Sequence, residues 1–185
     1  MTGIDPREAA AALADIDSIV HRVRQSTIYD IASQQIILWG GLVFMGNLVT
    51  YLAPRYAGYV WLLVYVAGVA GSAAVSVVAR ARSGVRSFDF RTLVAFLLFF
   101  AFGFFCVNVL GHFTPRQQGA FWTVYFMLIY CIAGLWFGYA FIAIGVAVVT
   151  LTLVGYYFIG EAFPLWMAFV NGGGLILGGL WMRRS

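Results

Sequence analysis

The sequence contains no lysine: all 11 basic residues are arginine. A lysine nucleophile, or a Schiff base of the retinal type, is therefore excluded. Charge is scarce, at 10% of the chain, where an ordinary soluble domain carries roughly 25%. None of the 7 acidic residues falls inside an apolar run: Asp5, Glu8, Asp15, Asp17, Asp30 and Asp89 flank the runs, and Glu161 sits in a short connection. Proton-coupled pumps and transporters ordinarily need ionisable relays within the membrane, so this absence weighs against them. Paired carboxylates, zinc-ligand spacing and an elbow-type serine motif are all missing as well. The chain is therefore expected not to be an enzyme, with His112 and Glu161 as the sole acid–base candidates.

Histidine and cysteine are equally sparse. His21 and His112 are predicted at opposite membrane faces, about 30 Å apart, which excludes a shared haem; no metal or cofactor is expected. Cys106 and Cys131 fall inside predicted spans at depths differing by roughly 9 Å, too far for a disulfide. Both read as small apolar packers.

What is abundant is apolar: 63% of 185 residues are hydrophobic and 18% aromatic. The fold class expected is all-α, a polytopic membrane bundle of six transmembrane helices preceded by an N-terminal amphipathic cytoplasmic helix. The chain divides into residues 1–30, the amphipathic helix and lead-in, and a single domain over 31–185 with spans at 31–52, 58–78, 92–111, 120–137, 139–159 and 164–182. Residues 120–159 hold no charge at all. That is too long for one span and fits two joined by a tight turn near Gly138.

Arginine placement supports the count. With the N-terminus inside, six spans put Arg7, Arg22, Arg24, Arg80, Arg82, Arg86, Arg91, Arg183 and Arg184 on the cytoplasmic side and only Arg55 and Arg116 outside. Five spans would move Arg183 and Arg184 outside and weaken the bias. The reading is a multi-pass protein of a bacterial inner membrane with both termini cytoplasmic. The net charge of +4 is scattered between apolar runs, which suits topology signals and lipid contact rather than nucleic acid. The opening residues carry charge and the first long apolar run starts near Ile36, so no cleavable signal is expected.

In the first segment, Asp5-Pro6-Arg7-Glu8 has the form of a helix start. Beyond it Ala9, Leu13, Ile16, Val20 and Val23 recur at three- and four-residue steps, the stripe of an interfacial helix. Anchoring at the membrane surface or docking of a cytoplasmic partner would both use it.

Two patterns remain. Gly134 with Gly138, and Gly174 with Gly178, form GxxxG pairs that let helices approach closely. They suit packing inside one bundle, a homo-oligomer seam, or a flexible helix beside a site. The three asparagines Asn47, Asn108 and Asn171 fall on the first, third and sixth spans, toward the outer interface. A side-chain amide is costly against lipid, so each is expected to face inward, either as interhelical glue or as one candidate ligand pocket completed by Tyr51, Tyr125 and Tyr156. The function expected is binding, of a lipid or small amphiphile or of a partner protein. The alternative is a small transporter or channel subunit that uses the outer polar pocket.

Overall fold

The computed structural model describes residues 6–83 and 90–184. These form helices and short connections only, and the apolar helices indicate a membrane-embedded protein. Five are long and apolar enough to cross a membrane: Tyr29–Leu52, Pro54–Ala79, Pro115–Phe137, Tyr139–Phe158 and Phe163–Met182. A sixth apolar helix, Val94–Leu110, is shorter.

The first helix, α1, runs without interruption over Pro6–Leu52. Its 47 residues extend about 70 Å, more than twice the bilayer core. The lead-in expected over 1–30 runs, through its described residues, into the first span as one helix. No Gly or Pro occurs between Pro6 and Gly40, so nothing in the backbone chemistry interrupts the hydrogen-bond ladder. Asp5 and the side chains of the apolar stripe lie outside the described residues.

After a 3-10 turn at Pro54–Tyr56, α2 covers Ala57–Ser83. Then α3, Phe90–Phe105, opens into a π-helical turn at Cys106–Leu110. Helix α4, Pro115–Phe137, starts earlier than the apolar pattern predicts. Thr114 and Gln117 form a reciprocal capping box with Pro115 at the first helical position, so a polar turn is added ahead of the apolar run.

Helices α4 and α5 (Tyr139–Phe158) meet at Gly138, the only described residue with positive φ (127°). They run antiparallel in close contact. Gly134 has no room for a side chain because Ile142 packs on it, and Gly145 lies against Cys131 and Met127. The last span is continuous but changes register in its middle: α6, Phe163–Met167, and α7, Gly174–Met182, are joined by π-helical residues Ala168–Gly173.

The core lies between α1, α4, α5 and the last span. Tyr29 and Ile36 of α1 meet Met127 of α4, Phe141, Ile144 and Val148 of α5, and Val170, Leu175 and Met182 of the last span. Helix α1 can approach the last span because glycines face it: Gly172 lies against the backbone of Phe44, and Gly179 against Ile37 and the carbonyl of Ser33. By contrast α3 is held through rings. Phe99 stacks on Tyr125 at 3.9 Å, Phe100 on Trp122 at 5.2 Å, and Tyr65 of α2 meets Phe100 edge-on. Gly103 receives the rings of Tyr125 and Trp122. Bulky aromatic contacts keep backbones apart while burying large area.

Candidate functional site

The three asparagines take three different environments. Asn171 lies in the π-helical segment of the last span and donates from Nδ2 to Thr123 Oγ1 on α4 at 2.9 Å. Asn47 is buried and donates to Val43 O of its own helix. Asn108 is exposed and donates to Phe104 O, also on its own helix. The tyrosines diverge likewise: Tyr51 is exposed, Tyr125 donates from its hydroxyl to Phe99 O, and Tyr156 packs against Phe163. Only Asn171 of the six joins a polar group on another helix through its own amide.

Two of the asparagines sit in the two π-helical segments. At Asn108 the amide takes the carbonyl four residues back, the one its backbone N–H would bond in an α-helix. One turn later the helix ends at Gly111, whose N–H reaches back to Cys106 O at 3.0 Å. At Asn171 three glycines follow, and glycine holds an α-helix weakly. The register set by Gly134, Ile142, Gly145 and Cys131 brings Thr152 of α5 to the level of Thr123. Thr152 is fully buried, and its hydroxyl has no protein partner among the described residues. Asn171, Thr123 and Thr152 thus form a thin polar layer in an apolar interior.

Arg116 carries more structure than its sequence position suggests. Its guanidinium donates to the carbonyls of Gly155, Tyr156 and Ile159. These carbonyls lie where α5 ends; Gly155 O also accepts the Ile159 N–H at 2.9 Å, and the negative end of the helix dipole favours a cation there. The same group lies 5.3 Å from the Tyr156 ring centre and 5.4 Å from that of Phe163. Read from sequence it was an outer-side charge between spans. The Thr-Pro-x-Gln start of α4 would have placed it within the first turn of a helix.

At the other end, Gln35 and Trp39 of α1 reach α2: Gln35 Nε2 donates to Ser72 O at 3.1 Å and Trp39 Nε1 to Ser72 Oγ at 3.0 Å. Gly68 leaves space for the Trp39 indole. Ser76 donates to Ser72 O. Arg183 Nε donates to Ser33 Oγ, tying the end of α7 to α1. These contacts tie α1 to α2 and to the end of the last span, while Gln35 Oε1 is buried without a partner among the described residues.

The glycines proposed for packing separate in the same way. Gly134 and Gly178 are in tight contact, the latter with Ile144. Gly174 has Val148 as its one close neighbour, and Gly138 serves the turn rather than a helix face. The tightest glycine of the last span is Gly172, outside either pair.

A groove of about 230 Å³ lies between α5 and the last span. Ala143, Ala147 and Gly174 leave the space, and Ile144, Val148, Leu151, Val170 and Trp181 border it. It is almost wholly apolar and opens on the outer surface of the bundle, where Leu177 and Trp181 are exposed. Small side chains beside large ones make a trench that only flexible apolar matter can fill without loss of dispersion contacts.

His112 and Glu161 are both exposed, and no group of three metal-ligating side chains exists among the described residues. No protein-family model, curated protein or solved structure is significantly similar to this sequence.

Proposed function

We propose that this chain is a six-span protein of a bacterial inner membrane, with both termini and the amphipathic part of α1 on the cytoplasmic side, that acts without catalysis by binding a lipid or small amphiphile. The arginine asymmetry supports the orientation, and Val94–Leu110 supplies the sixth, shorter crossing. The observation that carries the binding reading is the apolar groove between α5 and the last span. A membrane protein with such a trench presents a lipid chain with contacts that a smooth helix face lacks. The chain is to be purified in mild detergent and its bound lipids measured by mass spectrometry. Retained lipid that falls in Ala147→Phe, which fills the groove, supports the reading. Equal retention in both proteins overturns it.

A second reading, a small transporter or channel subunit, is favoured by one observation: the last span turns π-helical around Asn171, which bonds to Thr123, and the Thr152 hydroxyl of α5 is buried and unpartnered among the described residues. π-helical turns inside helices are frequent at functional sites. Solute flux in proteoliposomes that is lost in Asn171→Leu would support it, and absence of flux would remove it.

A further inference from the structure

The groove is lined by apolar side chains and Gly174, and an arginine follows its α7 edge in sequence. Gly174, Leu177 and Trp181 of α7, and Arg184 just past its end, recur at steps of three, four and three, the spacing of one helix face. Gly174 and Trp181 line the groove, and Arg184 continues their stripe one turn beyond. α7 ends at Met182, and the chain closes it with a turn in which the Arg184 N–H bonds to Trp181 O at 2.9 Å. Arg183 turns the other way, to Ser33 of α1. Arg184 is exposed and forms no ion pair among the described residues. Tyr139, at the start of α5, meets Trp181 edge-on at 6.1 Å. Two amphipathic rings at one level mark a headgroup boundary.

We infer that the groove takes one acyl chain of an anionic phospholipid whose phosphate is met by Arg184, in the leaflet on the side of the α7 end. This rests on the proposed lipid binding and adds the charge of the ligand. The shape of the groove favours a chain over a second protein helix. From Ala143 to Leu151 it spans about 12 Å along α5, far short of the bilayer core of about 30 Å. Exposed Leu177 and Trp181 stand at its edge. A helix needs 8–10 Å of axial separation along a continuous face, whereas a hydrocarbon chain needs only the trench. Burial in the groove fixes the chain, and the guanidinium selects the headgroup.

The test uses the full chain, freed of native lipid, with phosphatidylglycerol or phosphatidylcholine of identical acyl chains added, and native mass spectrometry to count bound lipid. The wild-type protein should retain phosphatidylglycerol about fivefold better, the factor one basic side chain near an anionic surface carries. Arg184→Gln should bring phosphatidylglycerol down to the phosphatidylcholine level and leave phosphatidylcholine unchanged. Ala147→Phe should lower both. Ala143→Phe, at the same trench, serves as the second blocking variant, and unchanged thermal unfolding in detergent shows that each variant folds. If Arg184→Gln keeps the wild-type preference, the headgroup inference is overturned while the groove reading stands. If neither blocking variant lowers either lipid, the groove reading itself fails. A dimer that dissociates in Ala147→Phe without any change in lipid would assign the groove to a second copy and overturn both.

Discussion

The amide of Asn171 reaches the hydroxyl of Thr123 at 2.9 Å and joins the π-helical turn of the last span to α4. Asn108, in the other π-helical turn, spends its amide on its own helix and is exposed. Two asparagines in similar backbone settings therefore do different work. Asn171→Leu should lower stability in detergent by about 0.6–2 kcal/mol, the range for a hydrogen bond between membrane helices. Asn108→Leu should stay within about 0.5 kcal/mol, as for surface changes in general. Unfolding curves for the two variants decide this; an equal loss at both would mean that Asn108 has an interhelical role.

Arg116 closes the end of α5 with donors to three carbonyls. Arg116→Gln removes the charge and most of that fork, and should cost about 1.5–3 kcal/mol, the scale of hydrogen bonds to charged groups. Arg116→Lys should recover only part of this, because a compact ammonium cannot spread over acceptors as the planar guanidinium does. Full recovery by lysine would show that charge near the helix end, and not the fork, matters.

Glycines of the last span should differ in tolerance. A methyl group on Gly172 would sit 2.5 Å from the backbone of Phe44, which cannot rotate away. On Gly174 it would meet Val148 Cγ2 at 3.3 Å, a side-chain methyl that can shift. Gly172→Ala is expected to destabilise by about 1–3 kcal/mol, as overpacking does, and Gly174→Ala by less. The reverse order, read from thermal unfolding, would contradict the packing of α1 on this span.

Gly138 has φ 127° and ψ 159°, a region open to glycine and strained for other residues. Gly138→Ala should cost about 1–3 kcal/mol. A stability unchanged from wild type would mean that the turn can adopt another backbone.

Topology is accessible through single cysteines in a background with Cys106→Ala and Cys131→Ala. Glu161→Cys should react with an impermeant thiol reagent in intact cells, and Arg184→Cys only after permeabilisation. Early labelling at Arg184→Cys would remove the orientation that nine inner arginines imply.

Much of the architecture was legible along the chain. Apolar length, the charge-free stretch over 120–159, and arginine placement are local properties, so the break at Gly138 could be located before any packing was known. The continuity of α1 from lead-in to first span is also legible, since no Gly or Pro interrupts residues 7–39. The capping box at Thr114 was present in the letters too, and would have brought Arg116 into α4.

What the tertiary structure decided is which face of each helix turns inward. In water, hydrophobicity marks the buried face, but a chain surrounded by lipid is apolar inside and out, so hydropathy leaves helix rotation open. Hence Gly172 rather than Gly174 carries the closest approach, Asn171 finds Thr123 while Asn108 stays exposed, and Ala143, Ala147 and Gly174 open a groove together. Each of these depends on a neighbour far away in sequence, and small residues report that neighbour only when both backbones are in place.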